Sequence, residues 1–500
     1  MFGKALLTAG AAAAAAVVGY DLTQRRHAVL RNFPLVGHLR YALEEVGPEL
    51  RQYIVTSDTE EKPFDRDHRR WIYASAKRQN NYFAFGTVHD LESSPNYPII
   101  KQVSFPLPSP APGDADYDDQ HRIASAKQLG TARGRASAFR PSSIVNVSGM
   151  SFGALSANAI AALNRGAQQA GCLHNTGEGG ISDHHLHGAD LVWQLGSGYF
   201  GARDADGRFD LVRLRDTVAA APVRAIEIKL SQGAKPGLGG VLPAAKITPE
   251  ISRIRGVPMG RDCISPAAHP EFDDVDSLLD FVERIADATG LPVGIKSAVG
   301  ETALWRELAE RMANEDRGVD FITIDGGEGG TGAGPLAFTD QVALPFKIGF
   351  SRVYHEFAQH DITDRVVFIG SGKLGFPDEA LLAFALGCDM VNVAREAMIS
   401  IGCIQAQRCH SGKCPTGVAT QNPWLVRGLH PDSKAERFAN YVTTFRKEVL
   451  ALSRACGVPH PGQVTLDHID VVDGRFGARS AREVFGYEPG WGEVPAFDIG

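Results

Sequence analysis

The chain has 500 residues, 44% of them hydrophobic and 22% charged, with a formal charge of -7; that balance excludes a disordered protein and fits a globular one. It contains no run of clustered Lys and Arg of the kind that neutralises phosphates, which excludes nucleic acid as a partner. Four of the seven cysteines, Cys172, Cys263, Cys388 and Cys456, lie far apart, which suits a reducing compartment without a disulfide framework.

Residues 5–19 are apolar and dominated by alanine, short of the roughly 20 residues that span a bilayer. Lys4 precedes this run and Arg25, Arg26 and Arg31 follow it. By the positive-inside rule, residues 1–24 are expected to anchor a cytoplasmic protein to the inner face of the membrane. A secretory signal and a soluble helix or tail are the alternatives. Because the arginine pair follows the apolar run, it is no twin-arginine export signal. Residues 25–139 read as a helical collar and a linker. HLRYALEEVGPELRQYIV (38–55) has helical spacing, and Trp71, Tyr73 and Tyr82 are expected to pack the collar on the main domain. Residues 105–119, with PSPAPGDADYDD, read as an extended loop.

Beyond Arg140 come eight short apolar runs, each ending in glycine or polar residues and followed by helical spacing: 144–147, 172–174, 192–195, 225–230, 292–296, 321–324, 366–369 and 390–393. Eight strands alternating with helices predict an α/β protein, a (β/α)8 TIM barrel, with its site in the loops at the C-terminal strand ends. Run seven leads into Gly370-Ser371-Gly372-Lys373, and run eight ends in Arg395. This is where barrels commonly bind phosphate. A second glycine-rich loop, GEGGTGAG with Gly329, Gly330 and Thr331, follows run six. Together they point to flavin mononucleotide (FMN). Lys296 ends run five, where a cation facing the flavin would stabilise its anionic reduced form.

Residues 402–421 hold Cys403, Cys409 and Cys414, a C-x5-C-x4-C spacing. Three close thiols mark a soft metal site, and the spacing does not match the paired cysteines of structural zinc sites, so an iron-sulfur cluster is expected.

This cysteine segment with the following PTGVATQ, together with KLSQGAKPGLGG (229–240) and DGGEGGTGAGP (325–335), resembles the FMN-binding synthase domain of glutamate synthases over residues 140–430, leaving 431–500 as a C-terminal extension. The resemblance implies a [3Fe-4S] cluster on the three cysteines. It implies a flavin contacted by Met150, Ser151 and Gly153 and by Lys229, besides the loops above. Lys235 and Arg255 are implied to hold the carboxylates of 2-oxoglutarate, with Glu178 facing it. The activity implied is reductive amination of a 2-oxo acid with ammonia and an external electron donor, a ferredoxin or a reductase subunit. Homo-oligomers are left open.

The chain departs from the family where Leu238 and Val241 replace glutamate and glutamine in KPGEGGQLPG, and where PAAHPE (266–271) stands for PPPHHD. Losing polar groups near a pocket changes which substrate is accepted. Position 2 is Phe rather than a cysteine nucleophile, the stretch before residue 140 does not read as the glutaminase domain, and no G-x-G-x-x-G nicotinamide motif is found. Ammonia and electrons are therefore expected from elsewhere. Two rivals remain. One is another FMN barrel of the 2-hydroxy acid dehydrogenase type, with a base among His174, His184, His185 and His187. The other is a non-catalytic electron-transfer subunit.

Overall fold

The computed structural model describes the chain apart from residues 1, 25–29, 31–32, 51–58, 83–85, 93, 476 and 495–500. Two units are formed, Met1–Arg69 and Arg70–Gly500. In the first, the alanine-rich segment forms a helix, Phe2–Thr23, as alanine favours. A second helix, Val36–Leu50, covers the first part of the stretch with helical spacing, and residues 51–58 lie outside the described residues. The buried carboxylate of Asp21 accepts hydrogen bonds from His38 Nε2 (3.0 Å) and from the N–H of Leu35 (3.1 Å). Among the described residues no helix is long and apolar enough to cross a membrane, so the apolar run gives no spanning helix. Arg25, Arg26 and Arg31 lie outside the described residues.

In the second unit the eight expected runs form eight strands, each within two residues of its expected position: β1 Val145–Val147, β2 His174–Asn175, β3 Leu191–Leu195, β4 Val223–Lys229, β5 Val293–Ser297, β6 Phe321–Asp325, β7 Val367–Ser371 and β8 Met390–Val393. They close into an eight-stranded barrel in chain order, all neighbours parallel. Its lower interior is apolar, built from Leu173, Val192, Ala225, Phe321, Val367, Ile369 and Met390. Leu129 closes the N-terminal end from a bridge with Phe139.

The crossovers are helical except the second. Between β2 and β3 the glycine-rich and polar GEGGISDHHLHG offers no apolar face, and it forms only a 3-10 turn, Asp183–His185. After β8 a long helix, Pro431–Ala455, packs on Ala157–Ala170. The close approach is permitted by Gly166, where a Cβ would lie 2.7 Å from the Ala435 carbonyl. Trp71 rests against Phe376 and Tyr441 and donates to Glu448 (3.1 Å), while Tyr73 donates to the Cys403 carbonyl (2.7 Å). Tyr82, expected to pack likewise, is 77% exposed: it follows the end of the Arg66–Ala76 helix and shares no face with those rings. Residues 105–119 carry neither helix nor strand, as expected. Pro98–Ile100 pairs antiparallel with Ile469–Val472, outside the barrel.

Gly294 on β5 makes room for the Phe321 ring, since a Cβ there would lie 2.4 Å from it. Gly294→Ala is expected to lower stability by about 1–3 kcal/mol through overpacking, read from urea unfolding; an unchanged midpoint would contradict this packing.

Candidate active site

Alternate residues of a strand face the barrel axis, so β4 points Ala225, Glu227 and Lys229 inward at rising heights. The Glu227 carboxylate, 1% exposed, accepts from Asn175 Nδ2 (2.8 Å) and Gln194 Nε2 (2.6 Å) on one oxygen and from Thr323 Oγ1 (2.7 Å) on the other. A charge taken out of water needs such a donor set. The network reaches upward. Asn175 Oδ1 accepts from the N–H of Gly177 (3.0 Å), and a Cβ on Gly149 would meet Gln194 at 2.8 Å and Asn175 at 3.0 Å. Glu227 thus forms the floor under the Gly149–Ser151 loop that follows β1.

At the mouth, Lys229 and Lys296 are register partners on β4 and β5. Lys229 Nζ donates to Glu178 Oε1 (2.9 Å) and Gln232 Oε1 (2.6 Å), and Lys296 pairs with Asp325 at 3.6 Å. Burial pushes the Glu178 carboxyl up, but Lys229, Lys235 and Arg255 outweigh it and hold it below the usual range. Asp325 behaves alike: burial raises it, and Lys296 with the N–H of Gly233 brings it below normal. His269 braces this layer, with Nε2 2.8 Å from the Lys229 carbonyl.

The insertion between β4 and β5 brings the remaining substrate candidates. Lys235 is buried and donates to the Gly239 carbonyl (2.8 Å); burial pushes its ammonium down and Glu178 pulls it back. Arg255 ends the helix Pro249–Arg255, which Thr248 caps and Gly256 terminates at φ 60°. Its guanidinium donates from Nη2 to the Phe152 carbonyl (3.1 Å) and Ser151 Oγ (3.4 Å) and lies over the Phe200 ring, while Nε has no hydrogen-bond partner among the described residues. A Cβ on Gly153 would lie 3.3 Å from this guanidinium, and one on Gly240 would lie 2.7 Å from Glu178 Oε1. Ser151, Gly153, Glu178, Lys229, Lys235 and Arg255 therefore form one group. Beside it Leu238 and Val241 stand 36% and 40% exposed, Val241 paired with Ile264 in a short hairpin. Met150 is buried.

The glycine-rich loops meet next to this group. Gly326 N–H donates to the Ser371 carbonyl (2.9 Å), and Gly329 N–H to that of Gly326 (2.9 Å). Gly372 (φ 117°) and Lys373 (φ 61°) both turn through the left-handed region, which suits a backbone curved round an anion. Arg395 donates from Nη2 to the Glu328 carbonyl, and a Cβ on Gly330 would lie 2.6 Å from the Arg395 side chain. Thr331 Oγ1 accepts from the N–H of Ala333 (3.2 Å). Two cations and glycine backbones at the ends of β6, β7 and β8 fit a phosphate group. Gly370, also expected at the cofactor, lies within β7, where a Cβ would strike Leu374 at 2.7 Å and Cys388 at 3.1 Å, so packing by itself already requires a glycine there.

In the cysteine segment, burial raises the buried Cys414 thiol, but N–H donors from Ala419, Thr416 and Val418 bring it below its usual value. Cys409 is raised by burial and by Cys414 against the pull of Lys246. A Cβ on Gly332 would touch Cys409 Cβ at 3.0 Å, so the Cys409 residue, through its Cβ and backbone, abuts the glycine-rich loop after β6. Cys403 Sγ accepts from the N–H of Gln405 (3.4 Å). Among the described residues no three His, Cys, Asp or Glu are gathered to hold a single metal ion. A zinc ion at about 2.3 Å from each sulfur would require that gathering, whereas a multi-iron cluster attaches each cysteine to a different iron. Amide donors aimed at sulfur suit thiolate ligands of such a cluster.

Asn175, Gln194, Glu227 and Thr323 were not singled out from the sequence, although a lone acid inside the apolar AIEIK of β4 was the available signal. Of the histidines proposed as a base by the dehydrogenase rival, His174 and His185 are buried in the scaffold. His174 is buried against Asn164 and pushed down to about 3 by burial, and His185 is buried against Ser182. His184 pairs with Glu250, and burial lowers the imidazole of His187. A neutral His174 in the fold and a free imidazole in the unfolded chain mean that stability is lost as pH falls below about 6.5, down to about 3. The depressed Glu178 and Asp325 add a loss as pH falls through their folded values. Urea midpoints are expected to decline steadily over that range, less steeply in His174→Gln.

The family model described as conserved region in glutamate synthase matches residues 119–459. The glutamate synthase large subunit-like protein YerD of Bacillus subtilis (strain 168) is 36% identical over 478 residues, 90% of each chain. The archaeal glutamate synthase [NADPH] of Methanocaldococcus jannaschii is 35% identical over 63% of this chain and 59% of its own length. A solved flavocytochrome b2 variant with pyruvate bound aligns over 87% of this chain and 86% of its own, at a TM-score of 0.45 and 12% identity, too slight a likeness to bear on chemistry. With the family model covering the whole barrel and a relative matched along nearly its full length, the chain belongs to the glutamate synthase family.

Proposed function

We propose that this protein is an FMN and iron-sulfur oxidoreductase that reductively aminates a 2-oxo acid, 2-oxoglutarate to glutamate, with ammonia and an external electron donor. The contact of Cys409 with Gly332 carries the reading, because it sets a cluster ligand against the loop proposed to hold the flavin. When bound, the flavin supplies hydride chemistry and the cluster passes single electrons from a ferredoxin or a reductase subunit. Gly329, Gly330, Thr331, Gly372, Lys373 and Arg395 would hold the phosphate, and Met150, Ser151, Gly153, Lys229 and Lys296 the ring. Cys403, Cys409 and Cys414 would hold a [3Fe-4S] cluster. Lys235 and Arg255 anchor the carboxylates of the 2-oxo acid, and Glu178, kept ionised by Lys229, faces its reacting carbon. Leu238 and Val241 favour a second reading in which the side chain of the 2-oxo acid is less polar than that of 2-oxoglutarate.

The test is anaerobic reoxidation of the reduced protein by 2-oxoglutarate with and without ammonium, next to an apolar 2-oxo acid of similar size. Reoxidation that needs both substrates and forms the amino acid is expected, and the faster 2-oxo acid decides the side chain. An intact flavin and cluster that no 2-oxo acid reoxidises would favour the electron-transfer subunit instead. In Lys235→Met the KM for the 2-oxo acid is expected to rise roughly ten- to hundredfold, the loss of a charge-assisted hydrogen bond worth about 1.5–3 kcal/mol.

A further inference from the structure

The insertion that carries Lys235 and Arg255 also carries a buried lysine that reaches the cysteine segment. Lys246 ends a short 3-10 turn, Ala244–Lys246. The turn is pinned on one side by the N–H of Ala244, which donates to Asp262 Oδ1 (2.7 Å), and on the other by the Thr248 cap of the following helix. Lys246 is only 7% exposed, and its Nζ donates to the carbonyl of Cys409 (2.8 Å). Among the described residues no carboxylate pairs with it. Burial pushes its ammonium down, and the thiols of Cys409 and Cys414 pull it back up. A buried ammonium without an anion is strongly disfavoured, so this placement calls for negative charge at the two sulfurs.

We propose that Lys246 is the fixed cation that sets the reduction potential of the cluster held by Cys409 and Cys414. The inference rests on the cluster reading given above. A cluster held by these cysteines would, on reduction, take one electron from the external donor and gain one negative charge. A cation held beside it by a backbone carbonyl stabilises that reduced form and raises the potential, since net charge nearby is among the levers that set cluster potentials. Lys246 is bonded to the backbone of Cys409 and acts on the cluster through its charge. The same insertion thus supplies both the substrate anchors and the charge that tunes electron entry.

The test is a potentiometric titration of the holoprotein, with the cluster followed by electron paramagnetic resonance and the flavin by absorbance. Lys246→Gln is expected to move the cluster potential to a more negative value and leave the flavin potential in place, whereas Lys246→Arg stays near the wild type. An intact cluster in Lys246→Gln at the wild-type potential overturns the inference and leaves the cluster reading standing. Wild-type protein that holds no iron overturns the cluster reading and this inference with it. Should the glutamine variant hold no cluster, Lys246→Arg decides. Wild-type iron content and potential support the role of the charge, and loss of both overturns it.

Discussion

Two ammonium groups on neighbouring strands govern the mouth of this barrel. Lys229 and Lys296 are register partners, and at strand spacing two such charges repel by on the order of 3 kcal/mol in a partly screened site. The arrangement holds only because each lysine has its own carboxylate. Glu178 comes from the loop after β2 and Asp325 from the end of β6. Those two pairings draw the loop after β2 and the glycine-rich loop after β6 toward the axis. Gly240 sits against Glu178 and Gly233 donates to Asp325, so the insertion after β4 is drawn in as well.

Beneath that layer the barrel changes character over one strand repeat. Apolar side chains fill the bottom, the Glu227 network fills the middle, and the lysines stand at the top. A buried carboxylate with three donors rigidifies what it touches, and here it supports Gly149 and Gly177, whose loops form one wall of the candidate site. The cysteine segment completes the rim, with Cys409 against Gly332 on one side and Lys246 on the other.

Much of this was legible in the sequence. Eight apolar runs gave eight strands because buried parallel strands read as continuous apolar stretches, and the glycine motifs fell at strand ends where the fold needs turns. Less legible was anything set by pairing across the barrel. Glu227 looked like an interruption in β4, and its meaning depends on Asn175, Gln194 and Thr323 from three other strands. Arg255 and Lys246 look like ordinary surface residues of an irregular insertion until tertiary packing buries them. Tyr82 shows the opposite limit: an aromatic residue counted as packing proved exposed, because no periodic face carries it inward. Gly370 and Gly372, two residues apart, meet different constraints: the first is packed within β7 against Leu374 and Cys388, and the second turns at a φ of 117°.

The segment proposed to bind the cluster lies against the loop proposed to hold the flavin. The most direct measurement is iron and flavin content, with the visible spectrum, of wild type and Cys409→Ser purified without air. The account predicts both groups in the wild type, and a variant that loses its iron and cluster absorbance but keeps its flavin. Iron content and spectrum unchanged by Cys409→Ser would contradict it.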